Sequence, residues 1–217
     1  DLDFSSKGNN NVVLILHGLE GSSKSSNVKG LVNISNLNYF DAVVLNFRGC
    51  SGEPNKLLTA YHSGKTDDID LAVKHLIKRY NSISIIGLSL GGNALLKYLG
   101  EGYPSVKLIK KSVAVSVPCD LKSSAIQMSK RSNRIYMMRF LKTLKSKVLE
   151  KCKIHTLHSI DLKKIKNAKN FADFDNEYTA PVHGFKDAEI YWDLNSSKHY
   201  LNKIKTPTLL INALDDP

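Results

Sequence analysis

The chain has 217 residues, of which 42% are hydrophobic and 24% are charged, close to the average for a globular protein. These proportions exclude a disordered chain, and no apolar run approaches the roughly 18 residues that a membrane-spanning helix requires. The net charge of +11 is concentrated in residues 121–170, which hold fourteen basic and two acidic residues, so this segment carries +12 and the remainder −1.

Five short apolar runs, rich in β-branched residues, predict the strands of a parallel sheet that is buried on both faces. In chain order they cover residues 12–16, 42–45, 83–86, 112–117 and 208–211. Helical periodicity lies between them, at residues 67–80 and 93–99. Strands that alternate with helices at this spacing predict an α/β fold, with a mostly parallel sheet and helices on both faces.

Residues 120–202 interrupt this alternation. Apolar residues recur there at helical spacing among basic ones: Met137, Leu141, Leu144 and Val148, continued roughly by Ile154, Leu157 and Ile165. The pattern predicts a mostly helical insertion between two strands, in the position of a cap. We therefore predict a single domain over residues 1–217, with a core of about 11–119 and 203–217 and a cap of about 120–202.

Three explanations are open for the basic charge of residues 121–170. The lysines solvate the outer faces of the cap helices, or they form an amphipathic surface that meets anionic lipid, or they bind nucleic acid. Lysine heavily outnumbers arginine, and no aromatic residues interleave with basic ones in a pattern suited to base stacking. We therefore expect no nucleic-acid partner, and we keep an anionic membrane surface as a partner of the basic cap.

Residues 87–91, Gly-Leu-Ser-Leu-Gly, match the Gly-x-Ser-x-Gly nucleophile elbow. They follow one predicted strand directly and precede a helical pattern, which is the strand–turn–helix setting that the elbow requires. The sharp turn pushes the serine side chain out of the sheet, and the helix N-terminus offers N–H groups to a developing oxyanion. Ser89 is therefore the predicted nucleophile, and the alternative is a structural serine in a glycine-rich turn.

A His17-Gly18 step follows the first apolar run. In this setting the backbone N–H of Leu19 is expected to face the nucleophile, and the N–H of Leu90 supplies the second oxyanion donor. His17 precedes the nucleophile in the chain, so we expect it to brace its loop and not to act as the general base.

The last apolar run is followed by Leu214-Asp215-Asp216-Pro217. An acid just past a late strand suits the chain order serine, acid, histidine. Asp216 is the predicted acid that orients the catalytic histidine, with Asp215 or a plain turn as alternatives. Ser89 and Asp216 both fall at carboxyl ends of strands, the edge where open α/β sheets bind ligands.

Six sequence blocks, in order along nearly the whole chain, resemble one known family. They are residues 11–21 (NVVLILHGLEG), 46–55 (NFRGCSGEPN), 60–64 (AYHSG), 87–93 (GLSLGGN), 179–185 (TAPVHGF) and 213–217 (ALDDP). The sequence resembles the YheT-type bacterial proteins classed as esterases and the eukaryotic abhydrolase domain-containing lipases of types one to three. The resemblance implies an α/β-hydrolase fold, hydrolysis of carboxylic esters such as acylglycerols or phospholipids, no cofactor, and triad roles for Ser89 and Asp216.

One departure from the family concerns the catalytic histidine, which follows the acid in this fold, whereas none of the seven histidines does so here. We expect it beyond Pro217, and we expect the 217-residue chain alone to turn over esters poorly. His62 and His183 belong to family blocks and are interpreted as structural or pocket-lining. The strands that would precede Asn11 are also expected to be missing, so both ends of the domain are interpreted as truncated.

The prediction is a serine hydrolase that cleaves lipid or small-molecule acyl esters through an acyl-enzyme on Ser89. The alternative is a non-catalytic or lipid-surface-binding protein on a hydrolase fold. Four cap residues are expected to shape the acyl pocket: Tyr136, Met137, Met138 and Phe140.

No metal site is expected, because His155 and His158 have no third ligand near them in the sequence. The three widely spaced cysteines fit free thiols in a reducing compartment. A cytoplasmic or membrane-associated location is expected.

Overall fold

A computed structural model describes residues 1–155 and 160–216 of the chain. Leu157 and His158, which the helix and metal predictions included, lie outside the described residues.

Six strands form one mixed sheet in the order β1-β3-β2-β4-β5-β6. The strands are β1 (Leu2–Ser5), β2 (Asn11–Leu16), β3 (Asp41–Leu45), β4 (Ser82–Leu88), β5 (Ile109–Val115) and β6 (Thr208–Ile211). Among the strands of residues 1–155 and 160–216, only β1 runs antiparallel to its neighbour, and the other four pairings are parallel. The predicted α/β class and mostly parallel sheet are confirmed.

β2 and β3 are apolar after their first residues, as expected for strands whose two faces are both covered by helices. The three core helices are α1 (Ser26–Leu37), α2 (Asp67–Leu76) and α3 (Leu90–Glu101). In β2, Leu14 packs in a cluster with residues of α2 and α3, whereas its neighbour Ile15 packs in a cluster with Val28 of α1. Alternate residues of β2 thus pack against the helices on opposite faces of the sheet.

The structure overturns one prediction at the start of the chain, because β1 precedes Asn11 and pairs antiparallel with β3. The sequence hides this strand because its middle residues are exposed and Asp3 interrupts any apolar run. A smaller difference concerns β5, which begins at Ile109, three residues before the predicted run. Lys110 and Lys111 are exposed and disguise the start of the strand.

Both predicted core helices exist with shifted ends. α2 ends at Leu76 instead of Tyr80, and the Tyr80 hydroxyl donates to Asp41 Oδ2 at 3.1 Å. α3 begins at Leu90, three residues earlier than predicted, and so includes two glycines in its first turn.

Between β5 and β6 the described residues form helices and turns, with no strand. We call residues 120–202 the cap. Its helices are α4 (Leu121–Met128), α5 (Arg134–Lys151), α6 (Leu162–Asn167), α7 (Phe171–Phe174), α8 (Ala180–His183) and α9 (Ala188–Asn195), with a π-helical turn at Asp175–Thr179. The predicted helical character is present, whereas the grouping of core and cap into one domain stays a prediction.

Two apolar clusters hold the cap together. In the first, Met137, Leu141 and Val148 of α5 pack with Ile165 of α6 and Phe174 of α7. The second joins α4 to α9, and its buried residues are Leu121, Ala125, Ala180, Ala188, Tyr191 and Trp192. In the described part of the chain, no helix is both long and apolar enough to cross a bilayer.

Candidate active site

Ser89 lies in a strained turn between β4 and α3. Its backbone has φ 49° and ψ −117°, in a region that non-glycine residues rarely occupy. Its N–H donates to the Val115 carbonyl of the neighbouring strand at 2.8 Å, which holds the turn against the sheet. The side chain is half-buried and lines a cavity. The strand–turn–helix setting predicted for this serine is therefore present.

The glycines on either side of Ser89 allow this turn to close. A Cβ on Gly87 would lie 2.6 Å from the Gly91 carbonyl oxygen, and one on Gly91 would lie 2.5 Å from the His17 carbonyl oxygen. These obstacles are backbone atoms, so no side-chain movement could relieve the clash. The start of α3 is thereby docked directly on the end of β2.

The predicted oxyanion loop lies beside Ser89. A Cβ on Gly18 would be 3.3 Å from Ser89 Cβ and 3.9 Å from its Oγ. Leu19 and Leu90 both line the same cavity as Ser89. Leu90 is the first residue of α3, so its N–H has no acceptor within the helix. The N–H of Leu19 makes no hydrogen bond within the described residues.

His17 is fully buried and bonded on both ring nitrogens. Nε2 accepts from the Phe47 N–H at 3.1 Å, so the proton is on Nδ1, which donates to the Gly18 carbonyl at 2.8 Å. Burial lowers the pKa of His17 to about 4 and keeps the ring neutral. The side chain therefore braces the loop after β2, the role expected for it.

Asp216 follows β6 in a turn, where its N–H donates to the Ala213 carbonyl at 3.4 Å. Its side chain is exposed and lines the cavity that Ser89, Leu19 and Leu90 also line, whereas Asp215 is not among the lining residues. This placement favours Asp216 over Asp215. Its role as the triad acid stays a prediction.

None of the hydrogen bonds made by histidine side chains in residues 1–155 and 160–216 involves Ser89. His62 and His183 stack edge to face with ring centroids 4.6 Å apart, and both line the cavity. Burial lowers the pKa of His62 to about 2 and that of His183 to about 4. Both rings are thus neutral parts of the pocket wall.

The cavity has a volume of about 570 Å³ and lies between the core and the cap. Of the four residues expected to shape it, Tyr136 and Phe140 line it. The other two do not. Met137 is 3% exposed within the cap cluster, and Met138 is 60% exposed on the surface. These four residues follow one another around α5, so only one side of the helix can face the cavity.

Asp175 is a cavity residue that sequence reasoning missed. It begins the π-helical turn, and its carboxylate accepts from Thr179 Oγ1 at 2.6 Å and from Trp192 Nε1 at 2.8 Å. Burial raises the pKa of Asp175 to about 6, although both hydrogen bonds oppose the shift. A π-turn at a cavity wall often marks a functional position, and its only sequence signal is an acidic residue between aromatic ones.

Asn93 joins the nucleophile helix to the end of the cap. Its amide donates to the carbonyls of Ser63 at 2.9 Å and Asn195 at 2.8 Å, and its oxygen accepts from the Ser197 N–H at 2.9 Å. The side chain is fully buried, so all three bonds are formed away from water. Sequence reasoning placed Asn93 in a family block without a role, and a polar residue among the apolar and small residues of the first two turns of α3 was the available signal.

Within the described residues no cluster of His, Cys, Asp or Glu side chains has the arrangement of a metal site. The three cysteines are free, as predicted.

Comparison with known proteins agrees with this geometry. The family model described as alpha/beta hydrolase fold matches residues 11–217. The chain is 36% identical over 209 residues to the Escherichia coli protein named "Putative esterase YheT", covering 94% of this chain and 61% of that protein. It is 34% identical to a Saccharomyces cerevisiae protein named "Monoacylglycerol lipase", with 95% of this chain and 48% of that protein covered.

A bovine protein named "Phospholipase ABHD3" is 28% identical, with 94% of this chain and 50% of that protein covered. The chain thus spans about half to three-fifths of the length of these relatives. Among solved structures, the Pyrococcus furiosus esterase Pf2001 superposes with a TM-score of 0.57 at 17% identity, over 95% of this chain and 62% of that one. The resemblance to the YheT-type and abhydrolase domain-containing proteins and the predicted fold are confirmed. The chain belongs to the alpha/beta hydrolase fold family.

Proposed function

We propose that the whole protein hydrolyses carboxylic esters through an acyl-enzyme on Ser89. The observation that carries the proposal is the backbone strain at Ser89, which directs the side chain into a cavity beside the Gly18-Leu19 loop. Strain of this kind persists where the surrounding structure enforces it, and it clusters at active sites. A structural serine in a glycine-rich turn would not need the close docking of α3 on β2.

In the proposed reaction, Ser89 Oγ attacks the ester carbonyl and its proton passes to a histidine that follows the acid in the family's chain order. The N–H groups of Leu19 and Leu90 bind the oxyanion, each contributing on the order of 10²–10³ in rate. The histidine then protonates the departing alcohol, and water cleaves the acyl-enzyme by the same route. Asp216 orients the histidine. The proposal requires no cofactor.

The proposed substrate is a lipid acyl ester. The names of the relatives, which include a monoacylglycerol lipase and a phospholipase, support this class. The cavity supports it as well, because Phe171, Phe174, Tyr178 and Trp192 of the cap line it opposite the core. A volume of about 570 Å³ is within the range of small-molecule sites.

The test uses the whole protein, a fluorophosphonate probe and short or medium acyl esters. Ser89→Ala is expected to abolish both labelling and hydrolysis without unfolding the protein, because only the nucleophilic hydroxyl is lost. The matched control is Ser124→Ala, another cavity serine, which should keep labelling and turn over esters within about threefold of the original protein. Undiminished hydrolysis by Ser89→Ala would overturn the assignment. Absence of labelling and hydrolysis in the original protein would favour the non-catalytic alternative.

We further propose that the cap contacts an anionic membrane surface. Ile135 and Met138 of α5 are 80% and 60% exposed, and their i, i+3 spacing puts them on one face of the helix. Basic residues flank them at Arg131, Arg139 and Lys142. An apolar patch surrounded by cations is typical of helices that lie in a lipid interface.

The cavity mouth lies beside this patch. Tyr136, adjacent to Ile135, is 56% exposed and also lines the cavity, so it lies at the rim. A membrane bound at the patch would place lipid esters next to the entrance. The basic charge of residues 121–170 would then attract the surface as well as solvate the cap.

Binding to lipid vesicles tests this second proposal without any catalytic readout. The protein is expected to bind vesicles that contain anionic lipid more tightly than neutral ones, and added salt should weaken the binding. Each basic residue near the surface contributes about 1 kcal/mol. Ile135→Asp should reduce binding at least tenfold, whereas Leu71→Asp, at a residue 69% exposed on α2, should not. Equal binding to neutral and anionic vesicles at low salt would leave only the solvation explanation.

A further inference from the structure

One lysine of the cap reaches the loop that follows β2. Lys147 projects from α5, and its Nζ lies 3.0 Å from Glu20 Oε1 and 3.1 Å from Cys50 Sγ. It also lies 5.5 Å from the centre of the Tyr61 ring. Three core segments therefore meet one ammonium group that belongs to the cap.

Glu20 is a buried carboxylate whose cationic partner in the described structure is Lys147. Its side chain is 5% exposed, and its second oxygen, Oε2, is buried without a hydrogen-bond partner among the described residues. A buried carboxylate that loses its cation is strongly unfavourable, so the loop must then move to rehydrate the charge. The ion pair therefore stabilises one position of Glu20.

The backbone of Glu20 is held by the same group of contacts. Its φ is 57°, an uncommon value for a residue with a Cβ. Its N–H donates to the Tyr61 hydroxyl at 2.8 Å, and that hydroxyl donates to Glu20 Oε1 at 2.7 Å. Main chain and side chain thus close a ring through Tyr61. Since Leu19 immediately precedes Glu20, this ring lies one peptide from the proposed oxyanion donor.

The opposite side of the loop is held from within the core. His17 bonds to the Gly18 carbonyl and to the Phe47 N–H, and the Phe47 ring stacks on Tyr61 with centroids 5.5 Å apart. The core alone braces Gly18, whereas Glu20 is held both by Tyr61 of the core and by Lys147 of the cap. Leu19 lies between the two supports.

We propose that Lys147 is a positioning residue, which holds the oxyanion loop in place by pairing with Glu20 and so makes the reactivity of Ser89 depend on the seating of the cap. The inference rests on the proposed ester hydrolysis. A second lysine one turn along α5 fixes the same side of the helix to the core, because Lys151 Nζ donates to the carbonyls of Leu57 at 2.9 Å and Leu58 at 2.7 Å. Displacement of α5 would break the contacts of both lysines.

The test measures kcat and KM of the whole protein on a soluble short-chain ester, with the rate of Ser89 phosphonylation as a second readout. Lys147→Met should lower kcat and the phosphonylation rate about 10–100-fold and change KM less than about threefold, because a misplaced donor acts mainly in the transition state. The double variant Glu20→Gln with Lys147→Met should recover to within about fivefold of the original protein, since no unpaired charge remains.

Lys145→Met is the matched control, because Lys145 Nζ donates to the carbonyls of Lys166 and Ala168 inside the cap. It should lower the melting temperature without lowering kcat. Unchanged kcat in Lys147→Met, or a double variant as impaired as the single one, would overturn the positioning role. If the original protein is not labelled at Ser89, the hydrolase proposal fails instead.

Discussion

The core and the cap build their parts of the site by different means. In the core, the turn at Ser89 is fixed by backbone atoms, since α3 approaches β2 so closely that Gly91 has no room for a Cβ. In the cap, the contacts near the cavity are made by side chains, such as Asp175 with Trp192 and Lys147 with Glu20. A position enclosed by backbone atoms accepts few residue types, whereas two side chains in contact can be replaced together by another compatible pair.

The cap also differs in the length of its helices. Apart from α5, each described cap helix has eight residues or fewer, and several begin with a side-chain cap. Asp161, Asn170 and Asp187 accept backbone N–H groups at the starts of α6, α7 and α9. Short helices are weak on their own, so the helices of residues 120–202 depend on these N-terminal capping side chains and on the two apolar clusters.

The largest effect is expected from adding one methyl group to the core. Gly91→Ala should destabilise the whole protein by about 3 kcal/mol or more, because its Cβ would meet the carbonyl oxygens of His17 at 2.5 Å and Leu16 at 2.6 Å. Urea denaturation measures the loss, and fluorophosphonate labelling should fall with it.

Gly30→Ala is the control. Gly30 lies in α1, and a methyl group added there would have nothing within 4 Å, so the variant should be stabilised by about 0.5–1 kcal/mol. Equal effects of the two changes would contradict the close docking.

A second prediction concerns the loss of stability at acidic pH. His17 has its pKa lowered to about 4 by burial, whereas an unfolded histidine titrates near 6.5. Below about pH 6.5 the unfolded state takes up a proton on His17 that the folded state refuses, so His17 alone should lower the free energy of unfolding by up to about 3 kcal/mol between pH 6.5 and 4. The lowered pKa values of His62 and His183 should add to this fall. His17→Gln should reduce this pH dependence of the free energy of unfolding, because glutamine does not titrate. The variant should still fold, because glutamine can accept from the Phe47 N–H.

A smaller pH dependence of stability, of opposite sign, is expected from Asp175 in the cap. Burial raises the pKa of Asp175 to about 6, so ionising this carboxyl destabilises the folded state, and the loss develops as the pH rises from about 4 to 6. Asp175→Asn should therefore raise the melting temperature by a few degrees at pH 8 and have little effect at pH 4. Destabilisation at pH 8 would show that the carboxylate is required as an acceptor for Trp192 and Thr179.

The core was largely predictable because its functional residues lie in short motifs. The elbow at Ser89, the loop at Leu19 and the turn at Asp216 each follow a strand, and parallel strands bring their carboxyl ends to one edge. Strand ends were less predictable. β1 and the start of β5 could not be recognised because exposed Asp and Lys residues interrupt the apolar pattern.

The cap contacts could not be predicted, because they join residues far apart in the chain. Lys147 and Glu20 are separated by 127 positions, and nothing near either residue identifies the other. Likewise, helical periodicity located α5 but not its orientation, so Met137 and Met138 were assigned to the pocket together with Tyr136 and Phe140. Orientation depends on packing against partners that a single sequence does not specify.

The three hydrogen bonds of Asn93 have a practical consequence for exchanging caps between relatives. Because Asn195 and Ser197 are bonded to Asn93 of α3, they belong structurally to the core, although in sequence they lie at the end of the cap. A chimaera joined beyond residue 197 would replace two of the three partners of Asn93 with foreign residues, whose backbone would have to follow the same path because both bonds are made to main-chain atoms. A junction placed before Asn195 keeps them, so the transplantable unit is shorter than residues 120–202 and ends within α9.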